Sequence, residues 1–79
     1  MTPDEWKQIK HAVEGATLER LSAIARNGCA LYVDRGGSSS HDLDAAIGET
    51  FADSLSVRAT YADCELIGRL LRETLFALR

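Results

Sequence analysis

The chain has 79 residues, twelve acidic and nine basic side chains for a formal charge of −3, and 46 % apolar against 27 % charged residues. These figures fit one small domain, residues 1–79, of ordinary globular composition and exclude an intrinsically disordered chain. No apolar run approaches the roughly 18 residues of a membrane span, and the opening Met1-Thr2-Pro3-Asp4-Glu5 lacks the basic and apolar segments of a secretory signal; the expected location is the cytoplasm, where Cys29 and Cys64 stay reduced.

In chain order, Thr2-Pro3-Asp4-Glu5 carries the signs of a helix start: a capping threonine, proline at the first helical position and a glutamate three residues on. Trp6, Ile9, Val13, Ala16, Leu21 and Ile24 recur at helical spacing, which predicts a helix over 3–27 with a weak point near Gly15 and a stop at Asn27-Gly28. The short apolar run Cys29–Asp34, with Tyr32 and Val33, reads as a strand. Arg35–Ser40 is a Gly/Ser loop, and Ser39 with Asp42 has the capping spacing for a second helix running to about Leu55. Its apolar residues Leu43, Ile47, Phe51 and Leu55 stand four apart, and Ala45, Gly48 and Ala52 form a small-residue strip that lets another backbone come close. Ser56–Ala62 alternates and reads as a second strand; Asp63 is then expected to cap a last helix with a wide apolar arc of Leu66, Ile67, Leu70, Leu71, Leu75 and Leu78. The expected fold is therefore α/β, in the order α-β-α-β-α, with helices packed on a two-stranded sheet.

Chemistry-bearing motifs are sparse. Gly36-Gly37-Ser38-Ser39-Ser40 before a helix invites an anion-binding reading, but it lacks the phosphate-loop lysine, and Asp42 and Asp44 in the first turn oppose an anion. Ser38–Asp42 contains the residue types of a hydrolytic triad, yet neighbours in sequence cannot adopt triad geometry. His11, Cys29, His41 and Cys64 match no paired metal-ligand spacing. No catalytic residue, metal or cofactor is expected.

Charge is distributed more informatively. Between Gly36 and Val57 stand Asp42, Asp44, Glu49 and Asp53 without a lysine or arginine. On a helix Asp42, Glu49 and Asp53 line one side, away from the apolar residues. A solvated helix face accounts for most such runs; the sharper reading is a negative strip that docks on a basic surface. Direct nucleic-acid binding by this strip is electrostatically excluded, and no basic patch with interleaved aromatics stands elsewhere. Tyr32, out of phase with Leu31 and Val33 on a strand, is the candidate aromatic contact.

The functional expectation is a small, acidic, non-enzymatic protein-binding module. Asp42, Glu49 and Asp53 supply its charge, with Asp44 and Tyr32 at the margin, and its partner is a larger protein with a basic surface, with no membrane involved. In its most concrete form it is an inhibitor that mimics phosphate charge in a nucleic-acid-binding groove, in the manner of anti-CRISPR or anti-restriction proteins; size and sign suggest that form and no shared motif does. The alternative is a homodimer or larger scaffold joined through the last helix or the sheet edge, and a further one an anion-binding or hydrolytic protein using Gly36–His41.

Overall fold

The computed structural model describes residues 1–78 and, among them, holds four helices and no strand. Helix α1 spans Pro3–Glu14, α2 Leu18–Asp34, α3 Ser40–Ser54 and α4 Tyr61–Leu78. The α/β expectation, with its two-stranded sheet, is thereby overturned: the architecture is all-helical.

The expected helix over 3–27 is two helices. Thr2 caps α1, its hydroxyl accepting from the Glu5 N–H at 3.2 Å while the Glu5 carboxylate accepts from the Thr2 N–H at 3.0 Å. The weak point at Gly15 is a complete break, because Thr17 starts afresh as the cap of α2, accepting from the Arg20 N–H at 3.1 Å.

The stop expected at Asn27-Gly28 lies inside α2. Gly28 is buried against α3, where a Cβ would come within 2.6 Å of both Cα and Cγ1 of Ile47. The glycine makes room for a neighbouring helix and does not end its own. Residues Cys29–Asp34 consequently continue the helix and form no strand. The stop comes at Gly36, in the left-handed conformation at φ 65°, with the Gly36 N–H donating to Val33 O and the Gly37 N–H to Tyr32 O, both at 3.0 Å.

Helix α3 begins at its expected cap, the Ser39 hydroxyl accepting from the Asp42 N–H at 3.2 Å. It ends by the same reversal as α2, with Ser56 at φ 57° in the place where glycine is usual and the Val57 N–H donating to Ala52 O at 3.0 Å. The second expected strand is therefore a left-handed turn, a short irregular link and the first turn of α4. The cap of α4 is Thr60: its hydroxyl accepts from the Asp63 N–H at 3.2 Å, so Asp63 is the third residue of the first turn and not the cap.

Ile9 and Val13 of α1, Leu21 and Ile24 of α2, Ile47 and Phe51 of α3, and Ile67, Leu71 and Leu75 of α4 make one core, with Trp6 packed at its edge. Helices α3 and α4 share the most extensive interface; α2 packs mainly on α3, and α1 on α4. The small-residue strip does what its composition allows. A Cβ added at Gly48 would overlap the carbonyl of Cys64, and one added at Gly68 would overlap the carbonyl of Asp44, so α3 and α4 touch backbone to backbone at two points a turn apart. The Cα trace measures 31 × 29 × 17 Å, a slab thin enough to leave Phe76 of α4 80 % exposed. No helix among the described residues is long and apolar enough to cross a membrane.

Alanine in place of glycine normally stabilises a helix interior by about 0.5–1 kcal/mol. At Gly48 and Gly68 the sign reverses: each alanine variant is expected to lose about 1–3 kcal/mol in urea unfolding through overpacking, and a gain at either position would contradict the close crossing.

Candidate functional site

The C-terminal end of α2, the outer side of α3 and the start of α4 enclose a pocket of about 380 Å³. Three of the expected site residues, Tyr32, Asp42 and Glu49, line it. Arg35, Tyr61 and Cys64 join them over a floor of Ala45, Ala46 and Ala59. The ring of Tyr32 lies on Gly37, where a Cβ would overlap it, so the glycine after the α2 stop sets the position of that wall.

Two polar pairs define the electrostatics. Arg35, at the C-terminal cap of α2, donates through both terminal nitrogens to the two oxygens of Glu49, the Nη2–Oε1 bond being 3.1 Å. This fork holds the Glu49 carboxyl below the usual glutamate range and raises the guanidinium further. Across the pocket the Tyr61 hydroxyl donates to Oδ1 of Asp42, and the Ser38 N–H reaches Oδ2 at 3.4 Å. The Tyr61 bond, followed by the Ser38 contact, lowers the Asp42 carboxyl, and the same bond, with burial added, pushes the Tyr61 phenol up to about 12.

Cys64 sits buried at the base of the pocket with its thiol toward Ala59 O at 3.9 Å. Burial pushes the thiol up, and Glu49, Asp53 and Asp63 push it the same way against Arg35 alone. It is a weakly acidic packing group, the reverse of an activated nucleophile. Cys29 is exposed on α2.

The remaining expected residues lie elsewhere. Asp53 is exposed at the C-terminal turn of α3, where the helix dipole disfavours a carboxylate and no basic side chain of that turn offsets it. It is close enough to Arg35 to raise the guanidinium. Asp44 is only 3 % exposed and does not line the pocket: Arg72 of α4 donates to its Oδ2 at 3.2 Å, and Oδ1 has no partner. Its charge therefore belongs to the α3–α4 packing, not to a surface that a partner could reach.

The Gly36–His41 loop divides its polar residues among structural partners. Ser39 caps α3, and His41 Nδ1 stands 2.7 Å from the Glu65 carboxylate of α4. Among the described residues no three His, Cys, Asp or Glu side chains converge as metal ligands.

Sequence reasoning did not place Arg35, Tyr61 or Cys64 in a site. The available signal was Arg35, the lone base before a lysine- and arginine-free stretch that contains Glu49; Tyr61 was hidden by the strand reading of Ser56–Ala62. Comparison with protein-family models, with curated proteins and with solved structures gave no match, so the functional reading rests on geometry and charge.

The Asp42–Tyr61 pair predicts a specific pH signature. A lowered Asp42 contributes stability that is lost as pH falls through its folded value; a raised Tyr61 contributes stability fully present below pH 10 and lost as pH rises toward about 12. Wild type should therefore exceed Tyr61→Phe in stability across the intervening window, with the difference narrowing toward both ends. Thermal melts of the two proteins from pH 3 to 12 measure this, and a difference independent of pH would contradict the pairing.

Proposed function

We propose that the protein is a non-enzymatic protein-binding module whose acidic α3 face engages a basic surface on a larger partner. The observation that carries this reading is the convergence of Tyr32, Asp42 and Glu49, from two helices, on one concave patch with Tyr61. Asp53 extends the negative charge to the rim, at a helix end where it costs rather than adds stability. Aromatic side chains within a patch that stays net negative after the Arg35–Glu49 pair is counted suit a contact that combines steering with an anchor. In the most concrete form of the proposal the partner's basic surface is a nucleic-acid-binding groove, and the carboxylates occupy the places of phosphates. That partner would then be inhibited by competition, with no bond made or broken and no cofactor required.

The test is capture from lysate of the source cells by wild type and by an Asp53→Lys/Glu49→Lys variant whose folding has been checked by its melting curve. The expected result is a nucleic-acid-binding protein held by wild type, released by moderate salt, displaced by added nucleic acid and bound about tenfold more weakly by the variant. Equal capture by both proteins, or none by either, would contradict it.

One observation favours a second reading, self-association through α4. Phe76, Leu66 and Leu78 are 80 %, 49 % and 51 % exposed on that helix, while Ile67, Leu71 and Leu75 are buried in the core. Sedimentation velocity at high concentration decides it: a concentration-dependent rise to a dimer supports the scaffold reading, and a monomer throughout removes it.

A further inference from the structure

We infer that the pocket between α2, α3 and α4 receives the guanidinium group of an arginine side chain presented by the partner. This rests on the protein-binding reading and specifies its chemistry. Pocket volume is the first consideration. About 380 Å³ is near the lower end for small-ligand sites, room for one extended side chain with its head group inside.

The second is which hydrogen-bonding capacity the walls leave open. Their strongest donors are already engaged, the Tyr61 hydroxyl on Asp42 and both terminal nitrogens of Arg35 on Glu49. The carboxylates are not saturated. Each can accept about four hydrogen bonds, and Oδ2 of Asp42 has only the long 3.4 Å contact from Ser38. Arg35 keeps N–H groups beyond the two on Glu49, but at the Asp42 end the open capacity is that of an acceptor, and a ligand that fits there is a donor.

The third is the field. Asp42 and Glu65 act on Tyr61, and Glu49, Asp53 and Asp63 act on Cys64, while Arg35 is the one cation among the lining residues. The lining carries Asp42 and Glu49 against Arg35, so away from Arg35 an anion is disfavoured and a cation favoured. The aromatic walls then choose between cations. Tyr32 and Tyr61 both line the pocket, and a guanidinium both stacks on aromatic rings and forks to a carboxylate, which a compact ammonium cannot do. The arginine is placed at the Asp42 end, away from the like charge of Arg35.

An NMR titration of the labelled protein with N-acetyl-arginine methylamide, and with its lysine and alanine counterparts, tests the inference. The arginine probe is expected to shift the Tyr32, Asp42 and Tyr61 signals saturably and to bind about fivefold or more tighter than the lysine probe. Asp42→Asn and, independently, Tyr61→Ala should each abolish that preference, while Asp53→Lys, outside the pocket, should keep it. No shift, equal shifts with arginine and lysine, or shifts confined to other surfaces would overturn it. Failure of the probe alongside partner capture that still depends on Asp53 removes the arginine pocket and leaves the protein-binding reading standing; failure of both removes both.

Discussion

The backbone contact between α3 and α4 is the constraint on which the rest of the molecule depends. Gly48 admits the Cys64 carbonyl and Gly68 admits that of Asp44, so neither helix can rotate or slide without a clash. Two helices usually pack 8–10 Å apart because side chains separate them; here the side chains are removed at the crossing. In a chain of 79 residues, with a core limited by its size, close packing at this point recovers dispersion contacts that a larger protein would obtain from bulk. The same crossing fixes which polar groups meet. It sets Arg72 on the buried Asp44, Glu65 beside His41 and the Tyr61 hydroxyl on Asp42.

The pocket follows from that crossing and from the place where α2 stops. A helix that ended at Gly28 would leave Tyr32 and Arg35 on another element; continuing to Asp34 and reversing at Gly36 brings both against α3. The result is a concavity whose acceptors at the Asp42 end are partly free, with Arg35 paired to Glu49 at the other. The acidic face is thus neither uniformly solvated nor uniformly available. Asp53 is open, Glu49 is tied to Arg35 and Asp42 to Tyr61 and Ser38 yet both are still able to accept, and Asp44 is enclosed.

How much of this could be read from the residues depends on the ambiguity of each signal. The capped starts at Thr2 and Ser39, the α3 core residues Ile47 and Phe51, and the small strip around Gly48 rest on patterns with one physical meaning, and the structure contains all of them. Gly28 has two meanings, since glycine ends helices and also lets them touch, and only the position of Ile47 decides between them. Cys29–Asp34 is too short for periodicity to separate a strand from a buried stretch of helix. Taken with Leu21, Ile24 and Gly28, however, Leu31 and Tyr32 continue the helical spacing. The alternation in Ser56–Ala62 conceals a turn that places a serine where glycine is usual, and with that turn hidden, Tyr61 could not be placed beside Asp42. The acidic members of the site were visible because charge segregation along one helix needs no tertiary information, and Tyr32 was named on a strand reading that the helix replaces; Tyr61 and Arg35 were not placed, because they arrive by chain reversals.

The most direct measurement is a nuclear Overhauser spectrum of the labelled protein in solution, read at the α3–α4 crossing. The crossing predicts cross-peaks from the Gly48 α-protons to Cys64, from the Gly68 α-protons to Asp44, and from the Tyr61 ring to the Asp42 β-protons. Their absence, or strand-to-strand cross-peaks between residues 29–34 and 56–62, would contradict the crossing and with it the pocket that the crossing assembles.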